Sequence, residues 1–427
     1  MDSGATRSKV AVGGDSERDR VTRIDTVVIG AGQAGLSASY HLTQRGREHV
    51  VLERGDVGET WRSQRWENFV LNTPNWAQQL PGFGYQGPEP DGFAPLIEVV
   101  TYLENYARSF GAPVRTRVGV TRVRRSSGSF VVETSDGPVS AHNVVVASGA
   151  YQRPTRNPLA EQMPADVLQL HTSQYRRPEQ MPTGSILIVG SGQSGCQIAD
   201  ELLAAGRAVY LSVGRCPWFP RRYRGRELVH WLIETGLAED TIESLPSPEA
   251  RLTCNPPVSG NDGGHDCNPR WLTRRGAILL GRIEGINDGV VRLGDRLEET
   301  LANGDAFVAN FERRVDEYVE ATGLDVPDRE PGEPSATSPA LTELDLRAEG
   351  IRTVLWANGF RPDHSWIEGI DTDEQGWPVH DRGASPVPGL YFVGLHWLHK
   401  RKSALFLGVG EDASHVVERL DSRGSRA

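Results

Sequence analysis

The sequence predicts an α/β protein built from two doubly wound units of parallel strands and helices, with the second unit inserted into the first. One observation is a glycine-rich loop that occurs twice, at residues 30–35 and 190–195, each time directly after a short apolar run rich in β-branched residues. Parallel strands buried on both faces have this composition. A second observation is the return of two apolar segments, at residues 351–359 and 389–394. Both end in glycine, which suits strands added to the first sheet.

The first unit starts with a predicted strand at residues 25–29, followed by the loop and by a predicted helix at residues 36–45. Gly46 ends this helix as a C-cap glycine. In such a loop the first glycine forms a tight turn, the second lets the backbone reach a pyrophosphate, and the third lets the helix pack close to the strand. The helix N-terminus directs free N–H groups at the phosphates. The residues predicted to bind this dinucleotide are Gly30, Gly32, Gln33, Ala34 and Gly35.

The ribose-binding position of the first unit is predicted at Glu53, which follows the strand at residues 50–52. A carboxylate at the end of this strand accepts both hydroxyl groups of an unphosphorylated adenosine ribose. The first unit is therefore predicted to bind FAD or NAD.

The second unit repeats the pattern, with a strand at residues 185–189, a helix at residues 196–205 and Gly206 at the end of that helix. Its predicted dinucleotide-binding residues are Gly190, Gly192, Gln193, Ser194 and Gly195. If the next turn is one residue shorter than in the first unit, its partner strand ends at Ser212, with Arg215 three residues further on.

A hydroxyl and a guanidinium at this place suit a 2′-phosphate, which a carboxylate would repel. The second unit is therefore predicted to bind NADPH through Ser212 and Arg215. The alternative phosphate ligands are Arg221, Arg222, Arg224 and Arg226, and a solvated surface role for Arg215 also stays open. The predicted fold class is thus α/β with two Rossmann-like dinucleotide-binding domains, the NADPH domain inserted into the FAD domain.

The predicted domain boundaries follow from these units. Residues 24–155 and 351–420 form the FAD-binding domain, and residues 156–350 form the inserted NADPH-binding domain, entered through a proline-rich linker at 151–183. Residues 1–23 are predicted to be a disordered leader and residues 421–427 a flexible tail. Within the second unit, residues 301–320 are predicted to form a helix and residues 327–339 an exposed loop.

Composition favours an enzyme over a nucleic-acid-binding protein. The chain has 427 residues and a formal net charge of −10, which argues against nucleic acid as a partner. It contains no run of the roughly 18 apolar residues that a membrane-spanning helix needs. No secretory signal is recognisable, so we expect a cytoplasmic protein. The sequence leaves the oligomeric state open.

The four cysteines form no C-x-x-C pair, so the dithiol relay of disulfide reductases is not expected. They are Cys196, Cys216, Cys254 and Cys267. Cys254, His265 and Cys267 match no zinc spacing and are interpreted as residues of a loop rich in glycine, asparagine and proline. No metal site is predicted.

Several motifs together resemble the class B flavin-dependent monooxygenases, the group that includes flavin-containing monooxygenases, YUCCA enzymes and Baeyer-Villiger enzymes. Besides the two loops, they are Gly58-Glu59-Thr60-Trp61-Arg62, the linker motifs Ala147-Ser148-Gly149 and Ala357-Asn358-Gly359, and His171-x-x-x-Tyr175. The resemblance extends from residue 24 to about residue 417. Two departures are present: the Phe-x-Gly of the family fingerprint falls on Ala165 and Val167, and Asn358 stands where threonine is usual.

The resemblance implies an NADPH-dependent, FAD-containing monooxygenase that uses molecular oxygen, through a C4a-(hydro)peroxide of the flavin, to oxygenate a small organic substrate. Because Tyr175 stands where Baeyer-Villiger enzymes carry tryptophan, it favours N- or S-oxidation or hydroxylation over ketone insertion. Further cofactor-binding residues implied by the resemblance are Glu53, Arg54, Gly58, Thr60, Trp61, Arg62, Ala147, Gly149, Asn358, Gly359, Gly394 and Leu405. Two alternatives stay open: an NADPH oxidase or flavin reductase without a coupled substrate, and a non-catalytic regulator that binds FAD and NADPH.

The resemblance also implies two catalytic residues, Asn72 and Trp61. The Asn72 amide would donate a hydrogen bond to the oxygenated flavin, although a turn-forming role beside Pro74 is an equal alternative. Trp61 would line the flavin or be an ordinary core residue. His171 and Tyr175 are interpreted as structural residues of the domain hinge.

A helix predicted to start near Ser403 and to include Leu405 would stabilise the negative charge of the reduced flavin. The basic side chains just before it, Lys400, Arg401 and Lys402, would add positive charge or form a solvated loop.

Overall fold

The computed structural model describes residues 22–215, 217–247, 250–251, 257–329 and 338–424. The strands are β1 (Thr22–Ile29), β2 (His49–Leu52), β3 (Gln79–Leu80), β4 (Phe83–Gly84), β5 (Val114–Arg115), β6 (Val120–Ser126), β7 (Ser129–Thr134), β8 (Val139–Val146), β9 (Arg153–Pro154), β10 (Leu168–His171), β11 (Ser185–Val189), β12 (Val209–Ser212), β13 (Arg222–Tyr223), β14 (Arg226–Glu227), β15 (Val258–Ser259), β16 (His265–Asp266), β17 (Ile278–Leu280), β18 (Ile283–Asn287), β19 (Val290–Leu293), β20 (Glu343–Asp345), β21 (Ile351–Trp356), β22 (Phe360–Arg361) and β23 (Leu390–Phe392). The α-helices are α1 (Gln33–Gln44), α2 (Glu59–Gln64), α3 (Leu96–Ser109), α4 (Gln193–Ala204), α5 (Leu228–Glu234), α6 (Pro269–Arg274), α7 (Leu297–Thr322) and α8 (Val409–Gly424).

The predicted α/β class is confirmed by two sheets with mainly parallel strands. The first sheet has the order β5-β2-β1-β8-β7-β6, with β23 also paired to β8. Its strands β5, β2, β1, β8 and β23 are parallel, whereas β8, β7 and β6 form an antiparallel meander. Helices α1, α3 and α8 cover one face with a core that includes Leu36, Tyr106 and Val416. Burial on both faces explains why the central strands are continuous apolar runs.

The second sheet is entirely parallel, with the order β10-β21-β11-β12-β17. Two predictions are corrected here. Residues 351–356 form β21 and pair with β11 and β10, so they belong to the second sheet and not to the first. The predicted linker at 151–183 contains β10, an edge strand of the same sheet. The prediction that residues 389–394 return to the first sheet is confirmed by the pairing of β23 with β8.

The chain crosses between the two sheets at two points that lie side by side. After β8 the chain forms β9, and after β21 it forms β22, and these two short strands pair antiparallel. The Thr155 amide also donates a hydrogen bond of 2.9 Å to the Gly359 carbonyl. The connection between the units is therefore a two-stranded ribbon that follows directly on both linker motifs.

The helix ends agree with the glycine pattern. Helices α1 and α4 begin at Gln33 and Gln193, three residues earlier than predicted, because residues of the glycine loops form the first turn. Gly46 and Gly206 follow them in the left-handed conformation, with φ of 64° and 73°. The helix predicted at 301–320 is confirmed within α7. No helix among the residues described above is long and apolar enough to span a membrane.

The structure corrects the inner bound of each predicted terminal segment. Residues 22 and 23 already belong to β1, while residues 1–21 of the predicted leader lie outside the described residues. At the other end, α8 continues to Gly424, because Asp421 forms ion pairs with Arg45 at 2.8 Å and with Arg47 at 3.1 Å. Residues 421–424 are therefore helical, and residues 425–427 lie outside the described part of the chain.

Candidate active site

The first glycine loop is fixed by two close backbone approaches. Gly30 has φ of +107°, and a Cβ on it would lie 2.6 Å from the Ala147 carbonyl oxygen at the end of β8. A Cβ on Gly35 would overlap the Gly30 carbonyl oxygen. These two glycines therefore let β1, α1 and the first linker motif pack against one another.

Gly32 differs, because a Cβ on it would meet no protein atom within 4 Å. This residue is the N-cap of α1, and no side chain caps the helix. The N–H groups of the first turn are thus left for an acceptor outside the helix. An open glycine at an uncapped helix start fits a pyrophosphate.

Glu53 lies at the edge of this loop, where the sequence predicts the ribose. The side chain is buried, and its two oxygens accept hydrogen bonds from the Ala31 amide at 2.7 Å and from the Gly55 amide at 3.0 Å. Each carboxylate oxygen has a further lone pair for a hydroxyl group. The neighbouring Arg54 is exposed.

The second loop repeats this geometry. Gly190 has φ of +114°, and a Cβ on it would lie 2.6 Å from the Ala357 carbonyl oxygen, while a Cβ on Gly195 would overlap the Gly190 carbonyl. Helix α4 also starts at a glycine, Gly192, without a side-chain cap. Each linker motif thus packs against the first glycine of one loop, through the Ala147 carbonyl in the first unit and the Ala357 carbonyl in the second. Asn358 Oδ1 is buried next to the second loop and accepts no hydrogen bond from a described residue, so it is available to a ligand.

The register of the second sheet corrects the position assigned to Ser212. Ile29 pairs with Leu52 and Val189 pairs with Ser212, so Ser212 is the counterpart of Leu52, and Val213 is the counterpart of Glu53. The turn in the second unit is not one residue shorter. Ser212 is buried and donates its hydroxyl to the Gly281 carbonyl at 3.1 Å, so it does not line the loop. The apolar Val213 leaves the second site without a carboxylate.

Arg215 lies at the mouth of the second loop. The amide of the preceding residue, Gly214, donates to Ser191 Oγ of the loop at 3.1 Å. Arg215 is exposed and forms no ion pair or hydrogen bond with the part of the chain that the structure describes. In the second unit, a free guanidinium therefore lies two residues after Val213, the counterpart of Glu53 in the first unit.

The four alternative arginines are all engaged with other residues of the protein. Their partners are Glu227 for Arg221 at 2.8 Å, the Gly263 and Gly264 carbonyls for Arg222 at 2.7 Å, Asp316 for Arg224 at 3.1 Å, and Glu234 for Arg226 at 2.7 Å. Burial lowers the pKa of Arg221 to about 10, while Glu227 opposes this shift. These side chains hold the β13–β14 region together, which favours Arg215 as the phosphate ligand.

The Gly58 to Arg62 motif runs beside the first loop. The Gly58 amide donates to the Ala31 carbonyl at 3.0 Å, and Trp61 Nε1 donates to Gln33 Oε1 at 3.2 Å. Trp61 also stacks on Phe406, with ring centroids 5.9 Å apart. Thr60 is half-buried on the same helix.

Arg62 does not face the loop. It donates to the Val57 carbonyl at 3.2 Å and forms an ion pair with Glu104 of α3, on the outer side of α2. The role of Arg62 as a cofactor ligand stays a prediction, and because its guanidinium is engaged by Glu104 it is not among the ligands proposed below.

Two further predicted residues flank the start of α1. A Cβ on Gly394, which has φ of +81°, would lie 2.5 Å from Ala34 Cβ, so the end of β23 packs tightly on the helix. On the other side, Gln33 Nε2 donates to the Ala404 carbonyl at 3.2 Å, next to the half-buried Leu405. Both segments thus border the first loop.

The helix predicted near Ser403 is not present. Residues 401–408 form turns, and α8 begins only at Val409. The basic residues before it are neither free nor solvated: Lys400 and Lys402 both pair with Glu239 and Glu411, and Arg401 pairs with Asp240 at 3.0 Å. The sequence interpretation missed these partners because Glu239 and Asp240 belong to the second unit. The cluster links the two units.

Asp412, in the first turn of α8, gives a prediction about stability. Burial raises its pKa to about 6, although a hydrogen bond with Ser403 opposes the shift. A carboxyl group with a raised folded-state pKa contributes stability at pH values below its unfolded pKa of about 4, and this contribution is lost as the pH rises through 6. We expect Asp412→Asn to raise the free energy of unfolding by about 2 kcal/mol at pH 7.5. The gain should shrink as the pH falls from 6 towards 4, which urea unfolding at several pH values measures.

The matched control for this prediction is Asp421→Asn on the same helix. Asp421 is paired with Arg45 and Arg47, so its neutralisation should not stabilise the protein at any pH. A gain for Asp412→Asn that does not depend on pH would contradict the assignment to titration of this carboxyl group.

Asn72 joins the two units. Its Oδ1 accepts a hydrogen bond of 2.5 Å from Gln197 Nε2 on α4, and its carbonyl accepts one of 2.6 Å from Arg221. Its amide nitrogen donates to none of the residues that the structure describes. Asn72 therefore has a fixed amide plane and a free NH2 group with two N–H donors.

Aromatic and polar side chains converge where the carboxyl ends of the two sheets meet. Tyr151 follows the first linker motif, Phe360 follows the second, and His396 follows Gly394; Tyr151 contacts the other two, with ring centroids 5.4 Å and 5.1 Å apart. Burial lowers the pKa of His396 to about 4, so the ring is neutral at pH 7. His171 contacts the Gly359 carbonyl at 3.2 Å through Nε2. Sequence analysis missed Tyr151, Phe360 and His396, although each lies one or two residues beyond a predicted glycine.

Comparison with known families identifies this arrangement. Residues 27–244, about half of the chain, match the model of the pyridine nucleotide-disulphide oxidoreductase family. The chain belongs to this family. A CzcO-like oxidoreductase of uncharacterised function from Geobacillus kaustophilus is 33% identical over 397 residues, which cover 92% of this chain and 97% of the relative.

A further relative and a structural neighbour are monooxygenases. Indole-3-pyruvate monooxygenase YUCCA1 of Oryza sativa subsp. japonica is 27% identical, over 70% of this chain and 76% of the relative. The flavin-containing monooxygenase from Stenotrophomonas maltophilia has a similar fold, with a TM-score of 0.61, 22% identity and coverage of 94% and 99% of the two chains. The resemblance to class B flavin-dependent monooxygenases is thus confirmed, and the protein is an oxidoreductase of that superfamily.

Proposed function

We propose that the protein is an FAD-containing, NADPH-dependent monooxygenase that transfers one atom of molecular oxygen to a small organic substrate. The single observation that carries this proposal is the pair of equivalent glycine loops with different ribose markers, Glu53 in the first unit and Arg215 in the second. This difference supports an unphosphorylated ribose in one site and a 2′-phosphate in the other. It also supports the interpretation of both units as Rossmann-like dinucleotide-binding domains.

The proposed ligands of each cofactor follow from the placement of the side chains. FAD would be held by Gly30, Gly32, Gln33, Ala34, Gly35, Glu53, Gly58, Thr60, Trp61, Ala147, Gly149, Gly394 and Leu405. NADPH would be held by Gly190, Gly192, Gln193, Ser194, Gly195, Arg215, Asn358 and Gly359. When bound, these cofactors supply hydride transfer and the activation of oxygen.

The chain itself would position the substrate and exclude water. The free amide donor of Asn72 is held by Gln197 and Arg221 between the two units, where it can hydrogen-bond an oxygen atom that carries developing negative charge. Trp61, Phe69 and Tyr151 give the junction an apolar lining, and such a lining keeps water away from a reactive intermediate.

The proposed reaction is N- or S-oxidation or hydroxylation and not insertion into ketones. Its support is the family resemblance at Tyr175, a residue that is fully buried against Trp66 with ring centroids 6.3 Å apart. Tyr175 would therefore influence the reaction through the packing of the junction and not by contact with the substrate.

Asn72→Ala tests the proposed function directly. We expect NADPH to be consumed at a similar rate while the amount of oxygenated product per NADPH falls several-fold and hydrogen peroxide rises, because the donor that protects oxygen transfer is lost. The measurement compares product, peroxide and NADPH in one reaction. Asn68→Ala, at an exposed asparagine bonded to Glu201, is the matched control and should leave the ratio unchanged.

Two results would replace the proposal. Peroxide equal to NADPH consumed with every candidate substrate would indicate an NADPH oxidase or flavin reductase. Absence of flavin reduction by NADPH under anaerobic conditions would indicate a non-catalytic regulator.

A further inference from the structure

Arg65 is a half-buried cation without an acidic partner at the junction of the two units. Its guanidinium carbon lies over three aromatic rings, 5.3 Å from the centroid of Trp61, 5.6 Å from Phe69 and 5.5 Å from Tyr151. Of its five N–H donors, one bonds to the adjacent Gln64 carbonyl at 3.3 Å. No carboxylate of the described residues forms an ion pair with it.

This arrangement differs from that of the other buried arginine nearby. Arg221 also lies over an aromatic ring, Phe93 at 4.2 Å, but it has Glu227 as an acidic partner. Removing a guanidinium from water without a counter-charge is costly, and contact with aromatic rings compensates only part of that cost. Burial accordingly lowers the pKa of Arg65. The protein thus keeps an unpaired positive charge in its proposed reaction chamber.

Arg65 belongs to neither of the two proposed phosphate sites. These phosphates would bind at the N-termini of α1 and α4 and at Arg215, whereas Arg65 contacts Tyr151, which follows the first linker motif. The other titratable ring beside Tyr151, His396, is neutral at pH 7. Arg65 is therefore the cation of this aromatic cluster, and the rings of Trp61, Phe69 and Tyr151 offer apolar surface around it.

We propose that Arg65 is a specificity-determining residue that binds the carboxylate of an organic acid substrate, whose apolar part packs against Trp61, Phe69 and Tyr151. Two parallel N–H donors of a guanidinium match the two oxygens of a carboxylate. The inference rests on the proposed function, because it names the substrate class of that site.

A binding experiment tests this inference without requiring turnover. The FAD-loaded enzyme is titrated by calorimetry with phenylacetate and with phenylacetamide, which share an aromatic body and differ in charge. We expect phenylacetate to bind about tenfold more tightly, from one charge-assisted pair. Arg65→Gln should abolish this preference, and Arg65→Lys should keep part of it and serve as the variant with an intact fold. Arg125→Gln, at an exposed arginine on β6, should keep all of it.

Two outcomes would overturn the inference, and further measurements would then reassign the cation. Equal binding of the two probes by the unmodified enzyme, or a preference retained in Arg65→Gln, would show that Arg65 does not select carboxylates. If Arg65→Gln kept the preference and had a lower flavin midpoint potential, the cation would be assigned to the reduced flavin. If Arg65→Gln kept the preference and had a raised KM for NADPH, the cation would be assigned to the nucleotide. Loss of oxygen transfer with an intact binding preference would instead contradict only the proposed monooxygenase function.

Discussion

Gly32→Ala is expected to give a folded protein that no longer retains its flavin. A Cβ at this position meets no protein atom within 4 Å, so the free energy of unfolding of the apoprotein should change by less than about 1 kcal/mol. The same Cβ would occupy the space through which a pyrophosphate approaches the first turn of α1. Loss of two charge-assisted hydrogen bonds should weaken FAD binding by about hundredfold or more. The flavin absorbance per protein and a reconstitution titration measure the change.

Two other glycines make this experiment specific. Gly35→Ala would drive a methyl group into the Gly30 carbonyl, so we expect destabilisation of the fold by about 3 kcal/mol or more, with flavin loss as a consequence. Gly119→Ala, at a glycine outside both loops, also places its Cβ where no protein atom lies within 4 Å, and it should leave both flavin content and stability unchanged. A yellow Gly32→Ala protein with normal affinity for FAD would contradict the assignment of the first loop.

The glycine loops could be predicted from the sequence because part of their requirement is local. Gly35 and Gly195 each approach the carbonyl of the first glycine of their own loop, so the spacing of the two glycines is visible in the sequence. The approaches of Gly30 to Ala147 and of Gly190 to Ala357 join segments that are distant in sequence. The sheet membership of β21 could not be predicted in this way. Strands buried on both faces have similar compositions, and only the pairing of β21 with β11 assigns it to the second sheet.

The errors in the site have a related cause. Counting from the end of the preceding helix aligns Ser212 with Glu53. The pairing of Val189 with Ser212 shows instead that the counterpart of Glu53 is the next residue, Val213. Lys400 and Lys402 pair with Glu411 nearby and also with Glu239, which is about 160 residues away and which local sequence does not indicate. Charges and pairings between units that are distant in sequence decide such positions, and local patterns carry no information about them.

Arg65 shows the same limit for a residue that sequence analysis overlooked. It lies three residues after the motif Gly58-Glu59-Thr60-Trp61-Arg62, and nothing in the local sequence marks it as unpaired. Its surroundings depend on Tyr151, 86 residues further along the chain. The aromatic environment exists only after the first linker motif has packed against α2.

Arg215→Ala is expected to remove the preference for NADPH over NADH. The guanidinium is exposed beside the second loop and has no protein partner among the described residues, so its loss should not disturb the fold. One charge-assisted contact with a 2′-phosphate corresponds to roughly tenfold to hundredfold in affinity. The KM for NADPH should therefore rise by about that factor, while the KM for NADH, which has no 2′-phosphate, should stay within about twofold. Steady-state kinetics with both nucleotides measure the two values.

The control for Arg215 is Arg224→Ala, because Arg224 pairs with Asp316 and the Pro327 carbonyl. This variant should lower thermal stability with little change in the ratio of the two KM values. If Arg215→Ala left the KM for NADPH unchanged and Arg224→Ala raised it, the phosphate would have to bind in the β13–β14 region, with rearrangement of its ion pairs. If the preference for NADPH survived both substitutions, no arginine contact would be needed. The absence of a carboxylate at Val213, the counterpart of Glu53, would then be sufficient to admit the 2′-phosphate.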